Sequence, residues 1–74
     1  MEVPMVMDCR GMACPKPVIK VAIKARDMPQ GSLLEVRADC QSFKEDLSRW
    51  CDDTGNVLIN LIDKGDHRVA TIQF

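Results

Sequence analysis

The apolar residues of this chain change their spacing along its length, from every second residue to every third or fourth and back, and that succession of periods restricts the folds open to it. Val3, Met5, Met7 and Cys9 alternate and read as a first strand over Val3 to Cys9, which Gly11 interrupts. Val18, Val21, Ala22, Ala25 and Met28 then follow the i, i+3, i+4, i+7 rule of an amphipathic helix, with Lys16, Lys20, Lys24 and Asp27 on its other side. Pro15 and Pro17 suit the first turn of that helix, where backbone N–H groups have no intrahelical partner, and they stiffen its start. Met28-Pro29-Gln30-Gly31 makes a turn. A second strand runs from Ser32 to Ala38, with Leu34, Val36 and Ala38 on one side. Ser42-Phe43-Lys44-Glu45 matches a capping box, which predicts a second helix with Phe43, Leu47, Trp50 and Cys51 as its apolar stripe and Gly55 as its stop. Two apolar runs, Val57 to Ile62 and Val69 to Phe74, flank Asp63-Lys64-Gly65-Asp66 as the arms of a hairpin.

The order βαβαββ gives two helices, each with one apolar face to bury, and one sheet to bury it on. The expected fold is a two-layer α/β sandwich: a four-stranded mixed sheet with both helices on one face. No repeat, low-complexity stretch or linker divides the sequence, so residues 1–74 are expected to form a single domain.

A chain of 74 residues has a thin core, and domains of this size often need a disulfide framework or a metal as a staple. The cysteines stand at positions 9, 14, 40 and 51 without a Cys-x-x-Cys pair, the usual source of structural zinc ligands, so no metal is expected. The first residues have no apolar run of secretory type, and no stretch approaches the roughly 18 apolar residues that cross a bilayer. The expectation is a cytoplasmic protein with reduced thiols and no membrane contact. Ten Lys and Arg against eleven Asp and Glu leave a net charge of −1, which gives no bulk attraction to nucleic acid, and the few aromatics offer no stacking platform for single strands. Direct nucleic-acid binding is therefore not expected, and function must be local.

The local feature is Cys14. A cysteine at or beside a helix N-cap lies at the positive end of the helix dipole, which favours the thiolate, the reactive form, over a thiol of ordinary pKa near about 8.5. Lys16 and Arg10 could add positive charge and steer an anionic sulfur donor, while Pro15 and Pro17 remove two amide donors that would otherwise tie the anion down. The plainer role for Cys14 is a helix cap, and an isolated Cys-Pro pair would favour it.

The wider string changes that weighing. Met7-Asp8-Cys9-Arg10-Gly11-Met12-Ala13-Cys14-Pro15-Lys16-Pro17-Val18 resembles the signature of the TusA-like, or SirA-like, sulfurtransferase family: a hydrophobic residue, Asp, two variable residues, Gly, two more, then Cys-Pro-x-Pro. The similarity continues through Met28-Pro29-Gln30-Gly31, Leu34-Glu35-Val36, Ala38-Asp39, Asp46-Leu47 and Trp50-Cys51 to Thr54-Gly55-Asn56. The resemblance implies a sulfur carrier that holds sulfur as a persulfide on Cys14. The sulfur would come from a desulfurase or rhodanese-like donor and pass to an acceptor protein, stoichiometrically and with no metal or organic cofactor. Transfer RNA thiolation, sulfur-compound oxidation and cofactor biosynthesis are all compatible destinations. The chain departs from the family at Cys40 and Gln41, where many members have Asp followed by Pro.

Other residues take supporting roles. Asp8 and Gly11 are expected to shape the turn before Cys14, with the Asp8 carboxylate bonding backbone amides. Lys16, Lys20 and Lys24 form a solvated row that could dock an acidic partner. Cys9 and Cys51 read as packing residues, Cys40 as the weakest thiol candidate, and His67 as a solvated loop residue. Two other readings compete with the carrier: a thiol redox protein using a Cys9–Cys14 disulfide, which needs Cα atoms within about 7 Å, and a regulatory module that binds partners without chemistry.

Overall fold

The computed structural model describes residues 5–74. The elements follow the expected order: β1 (Met5–Asp8), α1 (Lys16–Ala25), β2 (Leu33–Ala38), α2 (Phe43–Thr54), β3 (Val57–Asp63) and β4 (Arg68–Gln73). Val3, expected at the start of the first strand, lies outside the described residues. The strands form one mixed sheet in the order β1-β2-β4-β3. β1 runs parallel to β2, with Met5 opposite Leu34 and Asp8 opposite Arg37, and the other pairs are antiparallel.

Alternation decides which face of the sheet is covered. Leu34, Val36 and Ala38 of β2 and Ala70 and Ile72 of β4 are buried, and they pack with Val21 of α1 and Phe43, Leu47 and Cys51 of α2. Both helices thus lie on one face. The intervening positions, Glu35, Arg37 and Thr71, belong to the other face, where Arg37 donates two hydrogen bonds to the Glu35 carboxylate. A register shift between Leu58 and Asn60 interrupts the β3–β4 pairing, and Leu58 and Leu61 on either side of it both pack on the core. Trp50 meets Phe74 edge to face, ring centres 6.4 Å apart, which anchors the last residue of the chain on α2.

Several element boundaries differ from the sequence reading. α1 ends at Ala25, so Met28 reaches the core from the turn beyond the helix. β3 extends one residue further, to Asp63, β4 is shifted one residue earlier, to Arg68–Gln73, and the loop closes through a Lys64 N–H to His67 carbonyl bond of 2.8 Å. Ser42 occupies the N-cap position of α2 without capping it: its hydroxyl donates to Asp46 Oδ2 at 2.7 Å, and the expected exchange with Glu45 is replaced by this pair one residue further on. Gly55 ends α2 at φ +76°, the left-handed conformation that a glycine adopts without a Cβ clash.

Candidate functional site

β1 and β2 are parallel neighbours and each is followed by a helix, so the loops that leave them emerge side by side at one edge of the sheet. The Cys9 amide continues the pairing by donating to the Arg37 carbonyl at 2.7 Å. Beyond that point the first loop turns at Gly11, at φ +85°, and runs to Cys14, while the second passes through Asp39 to Cys40.

Asp8 fixes the first loop from its start. Its Oδ1 accepts the Arg10 amide at 3.1 Å and Arg10 Nε at 2.9 Å, and its Oδ2 accepts Arg10 Nη2 at 2.8 Å. The hydrogen bonds from the Arg10 side chain and amide hold the Asp8 carboxyl well below the usual carboxylate range. The same contact commits the Arg10 guanidinium to Asp8, so the charge that the sequence reading offered to an incoming anion is already paired. Asp39 fixes the loop from across the sheet: both of its carboxylate oxygens accept the Gly11 amide at 3.0 Å.

Cys14 is exposed and immediately precedes Pro15, which holds the N-cap position of α1 with no side-chain cap bond. The Cys14–Pro15 peptide is cis. The Lys16 amide donates to the Ala13 carbonyl at 2.9 Å, and Pro17 is buried as the second helical residue, so one proline faces solvent and the other packs inward. Lys16 and Lys20 are exposed; Lys24 is half-buried and does not complete the expected solvated row. Ile19 and Ile23 stand between these lysines on the helix and are 51% and 56% exposed, a mixed apolar and basic face that the lysine spacing alone did not reveal.

The four cysteines have different surroundings. Cys9 is fully buried among the core residues and Cys51 is 2% exposed; burial pushes both thiols up, Cys51 to about 11. The partner of Cys14 is Cys40. Their sulfurs join as a disulfide, with Cα atoms 5.6 Å apart, inside the range that a disulfide requires. The competing Cys9–Cys14 pairing is excluded and Cys9 is the packing residue expected, continuing β1 with its side chain in the core, whereas Cys40, expected to be the weakest thiol candidate, sits beyond β2 beside the Cys14 loop. A sequence signal existed, since Cys40 replaces an expected Asp, yet only the parallel pairing of β1 and β2 makes residues 26 positions apart adjacent.

Two further groups adjoin the pair. A carboxylate oxygen of Asp46 and the two sulfurs all lie within 4.8 Å of one another, and Ser42 Oγ is 3.8 Å from Cys40 Sγ. With reduced sulfurs, Cys14, Cys40 and Asp46 could offer three ligands to a soft cation; with the disulfide formed, neither sulfur is a thiolate ligand. On the hairpin side, a cleft of about 160 Å³ reaches Cys40 between Asp39, Asp63, Asp66, His67 and Arg68. His67 is half-buried there, not solvated as expected, with Nδ1 2.7 Å from Asp66 Oδ1. No helix among the described residues is long and apolar enough to cross a membrane.

Comparison with known proteins points one way. The family described as Sulfurtransferase TusA matches residues 5–73. Two Bacillus subtilis chains, YrkI and YrkF, are each designated "putative sulfur carrier protein". YrkI is 34% identical over 82% of this chain and 81% of its own length. YrkF is 30% identical over 89% of this chain, which spans 36% of YrkF. The crystal structure of the SirA-like protein from Desulfitobacterium hafniense superposes with a TM-score of 0.81 at 20% identity, over 93% of this chain and 95% of that one, and shares its fold.

Proposed function

The chain belongs to the TusA sulfurtransferase family of sulfur carriers, and from that premise we propose that it holds its sulfur as a persulfide on Cys14. The observation that carries this reading is access: Cys14 is exposed, whereas Cys9, Cys51 and Cys40 are at most 9% exposed. Cys14 is therefore the thiol that a separate donor protein can reach. Its thiolate attacks the outer sulfur of a donor persulfide, displacing the donor thiolate, and the outer sulfur of the new Cys14 persulfide is taken by an acceptor thiolate through the same displacement.

The role is that of a stoichiometric carrier in the cytoplasm, acting as a single domain between a desulfurase or rhodanese-like donor and an acceptor protein. Transfer RNA thiolation is one pathway it could feed. The face of α1 that starts at Cys14, with Lys16, Ile19, Lys20 and Ile23, suits partners that present acidic and apolar groups together. Asp8, Gly11, Pro15 and Pro17 shape the loop and helix start that present the sulfur.

Loading tests the reading. Reduced Cys40→Ser protein incubated with a cysteine desulfurase and cysteine, then freed of excess substrate, should gain the mass of one sulfur atom, and a thiol reductant should remove it. Measured in the Cys40→Ser background, further substitution of Cys14 by Ser should abolish the gain. Persistent loading without Cys14 would reject the assignment.

A further inference from the structure

We propose that Cys40 is a resolving thiol that attacks the Cys14 persulfide and discharges the carried sulfur as hydrosulfide, giving this carrier a second outlet besides transfer to an acceptor. The inference rests on the persulfide being carried by Cys14.

Placement comes first. Cys14 and Cys40 follow neighbouring parallel strands, their Cα atoms are 5.6 Å apart, and their sulfurs meet. The two loops are tied together by the Asp39–Gly11 bonds, one residue before Cys40, so the encounter is built into the framework and does not depend on a free loop finding its partner. An intramolecular thiol held in this way competes strongly with any thiol in solution.

Direction of attack comes next. Cys40 is 9% exposed and Cys14 is exposed, so the two sides of the Cys14 sulfur see different reagents. A partner approaching from solvent meets the outer sulfur of the persulfide and carries it away. Cys40 lies against Sγ of Cys14 itself, the inner sulfur. Attack there forms the Cys40 Sγ–Cys14 Sγ bond and breaks the bond between Cys14 Sγ and the outer sulfur, which departs with that electron pair and its own proton as HS⁻. Cys40 loses its thiol proton to solvent before attacking. Its sulfur is oxidised from the thiol to the disulfide level as the departing sulfur is reduced to hydrosulfide, so the step needs no other oxidant or reductant. A dithiol reductant then reopens the disulfide and restores both thiols.

The reaction makes the fate of the sulfur a competition. With an acceptor docked, the outer sulfur is relayed; without one, the carrier empties itself and closes as a disulfide that cannot be loaded until reduced.

The test uses the full chain and its Cys40→Ser variant, both reduced and then loaded anaerobically by a cysteine desulfurase with cysteine, with excess substrate removed. Hydrosulfide is followed with a sulfide-selective electrode and the protein by intact mass. The wild type should release hydrosulfide stoichiometrically and finish two hydrogens lighter than the dithiol, with the Cys14 and Cys40 peptides linked. Cys40→Ser should keep its added sulfur, losing it about tenfold or more slowly. Equal persistence of the added sulfur in both proteins would overturn the role of Cys40 and leave the carrier reading intact. Failure of both to take up sulfur would overturn the carrier reading and this inference with it. The linked peptides and hydrosulfide yield of the wild type do not depend on how the variant folds.

Discussion

Both carboxylate oxygens of Asp39 lie 3.0 Å from the amide nitrogen of Gly11, 28 positions earlier, and this contact brings the Cys14 loop to the end of β2. A turn glycine at φ +85° presents its N–H to a carboxylate that itself stands beside a cysteine. Replacing Asp39 by Ala should lower stability by about 1 kcal/mol in urea unfolding, the usual net worth of an intramolecular hydrogen bond. It should also slow closure of the Cys14–Cys40 disulfide from the reduced protein, followed by thiol titration. Closure at the wild-type rate would show that the strands alone align the two sulfurs.

Asp8 supplies a pH dependence. Its carboxyl lies well below the usual range in the folded protein because Arg10 bonds it, so the stability it contributes is complete above the unfolded carboxylate pKa of about 4 and is lost as pH falls further. Asp8→Asn should therefore be less stable than wild type at pH 7, and the gap should narrow in acid. Because the pair is exposed, added salt should narrow it too. A gap that stays constant from neutral pH to acid would place the Asp8 contribution elsewhere than in its charge.

Cys9 and Cys51 offer the opposite test, since neither should matter to chemistry. Substituting Ser at either position puts a hydroxyl into the core and should cost about 1–3 kcal/mol, read from denaturant midpoints. Desulfurase loading at Cys14 should be unaffected wherever the variant remains folded. A stable Cys9→Ser protein that cannot be loaded would return Cys9 to the site.

The elements that the sequence made legible are those written in local periods: the stripe of α1, the alternation of β2, the glycine that ends α2, and the hairpin. The Cys-Pro-x-Pro string likewise singled out Cys14 as the candidate thiol, and the structure leaves it exposed. What stayed hidden depends on which strands become neighbours. Cys40 and Asp39 gain their roles only because β2 lies beside β1, and Cys9 loses its candidate role only because its side chain faces inward. Ser42 misled for a different reason: the spacing to Glu45 fits a capping box, but Asp46 competes for the same hydroxyl and wins. Arg10 looked available because the sequence could not show that Asp8 folds back onto it.

The face of α1 yields a kinetic expectation. Reversing charge at Lys16 and Lys20 should slow sulfur delivery between proteins at low salt while leaving the denaturant midpoint within about 0.5 kcal/mol of wild type, because both side chains are exposed. Replacing Ile19 and Ile23 by Ser should weaken delivery in a manner that salt does not modulate. Transfer rates indifferent to all four changes would move the docking surface off this helix.

The register of the sheet also decides how the unit can be joined to others. Met5 begins β1 opposite Leu34, and Gln73 ends β4 opposite Leu33, while both cysteine loops leave from the far ends of β1 and β2. Backbone therefore enters and exits on the side away from the sulfur, separated from it by the length of a strand, roughly 20 Å. Extra polypeptide added after Phe74 would trail from the rear, leaving the Cys14 face open to visitors. A module wired in this manner can be joined to further polypeptide, as the span of YrkF beyond the matched region illustrates, and a fluorophore or affinity tag after Phe74 should report on the domain without crowding Cys14.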